Sequence, residues 1–259
     1  MKIEIFTIFP EMFTNILDTS ILARAQAGGI LEVNIHDIRE YSADKHRKTD
    51  AYPFGGGAGM LMSPQPVFDA IEDIGAKKRM IYMSPRGEVL NEKMINALAE
   101  EDEILILCGH YEGMDQRILD YYSFEEISIG DYILTGGEIP AMVLMDSVVR
   151  LLPDALGSEN AHDEESVYSG LLEYPQYTRP ASFETKNGEN LEVPEVLMSG
   201  NHKEIRLWNF RKSLELTAER RPDLLKAFAE KHLGVDAKNS ESGKELLKEE
   251  KKILEEFVK

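Results

Sequence analysis

At 259 residues the chain is long enough for one large domain or two modest ones, each with an adequate core. Its 47 acidic against 29 basic residues give a formal net charge of −18, which argues against a general affinity for nucleic acid, while the apolar fraction is that of an ordinary globular protein. No stretch reaches the length of a membrane span, the start Met1-Lys2-Ile3-Glu4-Ile5-Phe6 lacks the long apolar core of a signal peptide, and the single Cys108 allows no internal disulfide, so a cytoplasmic protein without a membrane partner is expected. In chain order, Ile3–Ile8 alternates and predicts a strand ended by Pro10. A helix is expected over 14–27, a strand over 31–38, a helix over 65–74 and a strand over 79–83. A helix at 91–99 then precedes the apolar run Ile104-Leu105-Ile106-Leu107-Cys108, and another helix follows Gly113. Glu126–Ile129 predicts a further strand, and Ala141–Leu152 a helix stopped by Pro153.

Strands alternating with helices predict an α/β fold with a mostly parallel sheet covered on both faces. After Leu156 the texture turns polar, acidic and aperiodic, so 158–170 reads as a linker between a first domain (1–157) and a second (171–235). The remainder reads as a small all-α C-terminal domain. Ile205, Trp208, Leu214 and Leu216 predict one helix, with Trp208 in the core, and Pro222–Leu233 predicts another. The tail, 236–259, repeats apolar pairs at Leu246-Leu247, Ile253-Leu254 and Phe257-Val258 as a docking or solvated amphipathic helix.

Two strands run into glycine-bearing loops at Gly109 and Gly130, and a third loop, Tyr82–Gly87, follows Ile81. Three such strand ends make a crevice lined by backbone, the usual ligand site of an open α/β sheet. Gly109, Gly130, Gly136 and Gly137, with Tyr111, Tyr132 and Pro140 to cover a ring, suit a folded adenosine ligand held by peptide N–H and C=O groups. Taken singly, each glycine is only turn punctuation. A dinucleotide G-x-G-x-x-G is absent, and Gly55-Gly56-Gly57-Ala58-Gly59 lacks the Lys and hydroxyl of a triphosphate loop. It is either a flexible loop admitting a large substrate or a structural turn. Acids crowd the segment from Glu100 to Asp131 against the single base Arg117, a setting that repels a pyrophosphate and tolerates a sulfonium. Bases gather instead at Lys45-His46-Arg47-Lys48 and at Arg206, Arg211, Lys212, Arg220 and Arg221, where a polyanion could be held.

Phe9-Pro10-Glu11-Met12-Phe13, Asp44-Lys45-His46, Phe54–Met60, Cys108-Gly109-His110-Tyr111-Glu112-Gly113, Ser128–Leu134, Gly136-Gly137-Glu138, Tyr177-Thr178-Arg179-Pro180 and Leu197-Met198-Ser199-Gly200 follow one another from residue 1 to about 230. In that order they resemble the bacterial tRNA (guanine-N1)-methyltransferases, which act on the guanosine beside the anticodon at tRNA position 37. The resemblance implies a methyltransferase domain threaded as a deep trefoil knot, where periodicity alone predicts an open doubly wound sheet. It implies bent S-adenosylmethionine contacted by Tyr82, Met83, Ser84 and Pro85, by Gly109, Tyr111, Glu112 and Gly113, and by Ser128, Ile129, Gly130, Asp131, Tyr132, Ile133 and Leu134. Gly136, Gly137 and Pro140 would lie nearby. It also implies a homodimer with a shared active site and C-terminal helices that grip tRNA.

Arg150 matches the arginine that stabilises the guanine oxygen; read alone it is a surface arginine at a helix C-terminus. The family's base is an aspartate five residues before Gly170-Leu171-Leu172, where this chain has Glu165, with Asp163 two residues earlier. A glutamate is ionised at neutral pH and chemically competent, so Glu165 is expected to be the base ahead of Asp163. Glu112 and Glu173 are candidates to hold Mg²⁺ or orient the guanine edge. Arg24, His46 and Asp50 are candidate contacts to tRNA or a partner subunit, and Arg206, Arg211, Lys212, Arg220 and Arg221 to phosphates. Two other readings stay open: a non-catalytic RNA-binding protein on the same scaffold, and a methyltransferase acting on a different RNA.

Overall fold

The computed structural model describes residues 1–75, 79–156, 169–234 and 246–258, and the chain divides into two compact units, Met1–Glu159 and Asn160–Lys259. The first unit begins with β1 (Lys2–Thr7), buried along almost its whole length and paired in parallel on both sides. A strand covered on both faces reads as a continuous apolar run. Glu4 breaks that run, and its buried carboxylate is met by Lys2 Nζ and His36 Nε2, both at 2.5 Å, and by Asn34. The helix expected over 14–27 is two short helices, α1 (Thr14–Leu17) and α2 (Ser20–Ala27). Asp18-Thr19-Ser20 interrupts it: the Thr19 hydroxyl donates to Asn15 O, and Ser20 takes a left-handed φ of 54°. Such side chains compete with the helical backbone.

Next come β2 (Glu32–Asp37) and the short antiparallel pair β3 (Asp50–Ala51) and β4 (Leu61–Met62), which frames the glycine loop. Helix α3 (Pro64–Ile74) starts with proline at N1 and ends at left-handed Gly75, the usual asymmetry of helix ends. Strand β5 (Arg79–Val89) corrects the expected Tyr82–Gly87 loop, because those residues lie within one long strand. Met83 and Glu88 both face Ile127, so residues 84–87 are extra on one side of the ladder, a bulge rather than an exit. Gly87 is required there, since a Cβ would fall 2.4 Å from the carbonyl of Glu126.

Helix α4 (Glu92–Ala99) is capped by Asn91 Oδ1, which accepts from Met94 N. Then follow β6 (Glu103–Cys108), α5 (Gln116–Tyr122), β7 (Glu125–Ser128) and α6 (Glu138–Val149). Helix α6 ends three residues before the expected Leu152, tightening into i→i−3 bonds from Leu151 and Leu152 as Pro153 approaches. The sheet order is β2-β1-β6-β5-β7, all parallel. One face packs Ile3, Ile5, Ile104 and Ile106 against α2, α4 and α6; the other packs Phe6, Leu105 and Leu107 against α3 and α5. Each fully buried Ile or Leu contributes roughly 2–3 kcal/mol.

The second unit is not all helical. An antiparallel hairpin, β8 (Ser182–Glu184) and β9 (Asn190–Glu192), precedes its helices. Its strands are exposed throughout, so they carry no apolar alternation, and the turn signal is Asn187-Gly188 with Gly188 at φ 82°. Helices α7 (Glu195–Met198), α8 (His202–Arg220), α9 (Pro222–Leu233) and α10 (Lys248–Val258) follow. Leu171, Leu214, Leu225, Phe228 and Leu254 form the core, so the tail helix is docked through Leu254, Ile253 and Phe257. Trp208 is outside this core and partly exposed, lying between Tyr177 and Lys212, which corrects the expectation of a core tryptophan.

Candidate active site

At the C-terminal ends of β6 and β7, beside the bulge of β5, lies a cavity of about 520 Å³, a size that suits a small ligand. Its lining includes glycines at positions where a side chain has no room. A Cβ at Gly109 would stand 2.5 Å from the Tyr82 hydroxyl, and one at Gly137 would stand 2.7 Å from Cys108 Cα and Gly109 N. Gly130, at φ 142°, lets the Tyr132 ring fold over it, and Tyr132 donates its hydroxyl hydrogen to Ile129 O. Tyr111 also takes a left-handed φ of 59° and leaves its ring half-exposed at the mouth. Burial, then the nearby Glu126 carboxylate, pushes the Tyr82 phenol up to about 12, so it stays protonated at neutral pH.

Of the residues expected around a cofactor, Tyr82, Met83, Ser84, Pro85, Gly109, Tyr111, Glu112, Gly113, Ser128, Ile129, Gly130, Tyr132, Ile133, Leu134, Gly136, Gly137 and Pro140 line this cavity. Asp131 does not; it is exposed outside the lining. The cavity adds Leu61, Arg86, His110, Met114, Gln116, Ile127 and Thr135, which residue-type reasoning missed. Arg86 lies in the bulge and bonds Gln116 and Glu126.

At the cavity wall, Thr7, Glu138 and His110 form a polar trio, of which His110 lines the cavity. Thr7 Oγ1 donates to Glu138 Oε1 at 2.5 Å, and His110 Nε2 lies 2.7 Å from Glu138 Oε2. Glu138 opens α6 and is almost wholly buried, and Thr7 ends β1. The glycine loop is tied to the same wall, since Glu112 N donates to Met60 O and Met62 N donates to Gly113 O. Gly55, Gly56, Gly57 and Gly59 all have positive φ, and Phe54 stands fully exposed among them. A Cβ on Gly59 would run into the Glu112 side chain.

Other expected residues stand apart. Arg150 caps the C-terminal end of α6, on the order of 18 Å along the helix from Glu138, and does not line the cavity. Arg24 and His46 are exposed in the first unit, and Asp50 is partly buried in β3. Glu173 belongs to the second unit and accepts from Gln176. Among the described residues no three His, Cys, Asp or Glu side chains gather as a metal-binding group, so the Mg²⁺ candidates Glu112 and Glu173 find no shared cluster there. Glu165 and Asp163 lie outside the described residues.

In the second unit four of the five expected phosphate contacts are already engaged. Arg206 makes a bidentate pair with buried Glu250, Arg211 pairs with Glu256, Lys212 with Glu215 and Arg221 with Asp223. Lys203, on the same helix, pairs with Glu249. Arg220 is exposed and makes no ion pair among the described residues.

Comparison with known proteins bears on both units. The family described as tRNA (Guanine-1)-methyltransferase TrmD matches residues 1–227. A tRNA (guanine-N(1)-)-methyltransferase of Moorella thermoacetica is 54% identical over 230 residues, covering 87% of this chain and 90% of its own. One from Alkaliphilus metalliredigens is 51% identical over 232 residues, covering 87% and 92%. One from Halalkalibacterium halodurans is 47% identical over 263 residues, covering 100% and 98%, tail included. With the sheet, the glycine-walled cavity and these matches together, the chain belongs to the tRNA (guanine-1)-methyltransferase family.

Proposed function

We propose that the chain transfers the methyl group of S-adenosylmethionine to nitrogen 1 of guanosine 37 of tRNA. The observation that carries this reading is the glycine- and tyrosine-lined cavity at the strand ends, in a chain whose relatives are named for guanine-N1 methylation of tRNA. Peptide N–H and C=O groups bond a purine edge and ribose, Tyr132 and Pro140 cover a ring, and Glu112 tolerates a positive sulfur. Bound there, S-adenosylmethionine supplies an electrophilic methyl group. Guanine N1 carries a proton and is a weak nucleophile until that proton leaves, so a base and a holder for the developing charge are needed. Glu165 takes the N1 proton, ahead of Asp163. Arg150 holds the negative charge that grows on the guanine oxygen.

Arg150 lies away from the cavity of its own chain, which supports a homodimer whose active site is shared between subunits. Ile139 and Val143, four residues apart on α6, are 47% and 41% exposed although the helix is apolar nearly all round. A second copy would cover that face. The trefoil knot belongs to the same proposal. It is supported by the close crossing of 136–137 against 108–109, where Gly137 N donates to Gly109 O at 2.8 Å. The linker 158–170 carries the base, the helices of 171–235 hold tRNA through Arg220 and its neighbours, and Arg24, His46 and Asp50 meet tRNA or the partner subunit. Among the described residues no cluster of three His, Cys, Asp or Glu side chains supports Mg²⁺. No helix among the described residues is long and apolar enough to cross a membrane, and a tRNA-modifying role places the protein in the cytoplasm.

Incubation with tRNA and methyl-labelled S-adenosylmethionine, followed by mapping of the label, tests the reading. Label at N1 of guanosine 37 is expected. Label on another nucleotide supports a different RNA target, and none from folded protein supports a non-catalytic scaffold. In single-turnover assays Glu165→Gln should lose about 10²–10⁴ in rate and Asp163→Asn far less. Full rate retained by Glu165→Gln would remove it as the base.

A further inference from the structure

The trio at the cavity wall places polar groups where apolar ones would pack the same space at lower cost. Each of its bonds has a definite direction. The Thr7 hydroxyl accepts from Phe9 N at 2.9 Å and donates to Glu138, so both of its roles are committed. The remaining Glu138 oxygen accepts from His110 Nε2–H, an assignment that follows from the network. His110 is held from two further sides: its peptide N–H contacts Met62 Sδ at 3.2 Å, and the Phe9 ring meets it edge-on at 4.8 Å.

The position of this pair is what connects it to the cavity. A Cβ placed on Gly136 would lie 2.2 Å from His110 Nε2 and 2.6 Å from Glu138 Oε2, so the His110–Glu138 bond runs directly against the Gly136 backbone. His110 and Gly136 both line the cavity, from two different loops. The trio therefore joins the end of β1, the loop leaving β6 and the turn entering α6. Two of those three segments line the cavity, and their glycines offer a ligand peptide N–H and C=O groups only. The aim of a peptide group is the aim of its loop.

We infer that Thr7, Glu138 and His110 are positioning residues for the methyl donor. Glu138 acts through His110 and Gly136 to hold the two loops in the orientation that S-adenosylmethionine binds. This rests on the proposed reading of the cavity and goes beyond it, because Glu138 and Thr7 lie outside the cavity lining. Pre-organised walls of this kind favour binding by removing the ordering cost, without adding a contact. The consequence is a selective one: losing the trio weakens the donor and leaves tRNA affinity alone.

The test is steady-state kinetics with both substrates varied, on His110→Ala, Glu138→Gln and Thr7→Val, with melting temperatures and calorimetric binding of S-adenosylhomocysteine alongside. KM for S-adenosylmethionine should rise about tenfold or more in His110→Ala, with kcat at saturation within about threefold and KM for tRNA within about twofold. Glu138→Gln and Thr7→Val should shift the same parameter in the same direction. His110→Gln, whose amide nitrogen can reach toward the Nε2 position, should recover most of the loss. Folded variants whose donor KM stays within about threefold of wild type overturn the inference, as do variants in which both KM values rise together. Should Glu138→Gln fail to fold, His110→Ala and Thr7→Val decide by the same criterion. Wild-type protein that takes up no S-adenosylmethionine removes the cavity reading, and this inference with it. Uptake by wild type with unchanged variants removes the inference alone.

Discussion

The two units of this chain use charge in opposite ways. In the first, glycines line the cavity where side chains have no room, and the polar pair that shapes it joins His110, in the lining, to Glu138, outside it. In the second, cations are displayed along α8, yet Arg206, Arg211 and Lys203 are each matched by a carboxylate of the tail helix. A basic cluster in sequence is thus a poor guide to free cations, whereas glycines at strand ends are a good guide to a cavity. The reason is physical. A missing Cβ constrains only its own surroundings, but a cation's role depends on whichever acid the fold brings to it.

The largest effect that could break this contrast is at Gly137. Its Cβ would meet main-chain atoms that cannot swing aside, so Gly137→Ala should lower S-adenosylmethionine affinity about a hundredfold in a calorimetric titration, with tRNA affinity preserved. Next comes Arg206→Ala, which leaves the buried Glu250 carboxylate with the Leu247 N–H but without its guanidinium and should cost about 2–3 kcal/mol in urea unfolding. Were Arg206 chiefly a phosphate contact, stability would hold and only tRNA binding would fall.

A smaller effect concerns Glu4. Burial pushes its carboxyl up, but hydrogen bonds from His36, Lys2 and Asn34 outweigh that and hold it below the usual carboxylate range. A lowered folded-state value means the contribution is present above the ordinary pKa near 4.3 and is lost as pH falls below it. Melting temperature should drop on acidification from about pH 5 to pH 3, and Glu4→Gln should flatten that drop while costing about 1–2 kcal/mol at pH 7. Smallest is Arg220→Ala, an exposed site: tRNA affinity should fall a few-fold and the slope of log affinity against log salt by about 0.7–0.9.

Much of the first unit is legible in sequence because parallel strands announce themselves as apolar runs. Glu103–Cys108 and Pro64–Ile74 fall within a residue of their expected bounds. The β5 bulge was hidden because Pro85 and Gly87 read as loop residues, while the ladder resumes after them. The β8–β9 hairpin was hidden because its exposed strands bury nothing that would impose alternation. At the site, the glycines and tyrosines were readable one by one. The trio was not: Thr7 and Glu138 are 131 residues apart, and only the topology brings them together. The tail's pairing with α8, 44 to 46 residues distant, escaped for the same reason.

The most direct test of the cavity is titration of the folded protein with S-adenosylmethionine across salt, with tRNA titrated in parallel. A site built from peptide groups should take up one donor molecule per chain, displaced by S-adenosylhomocysteine, with an affinity nearly constant between about 50 and 200 mM salt, while tRNA affinity falls steeply over the same range. Folded protein that shows no saturable uptake of the donor, or uptake as salt-sensitive as that of tRNA, would contradict the account.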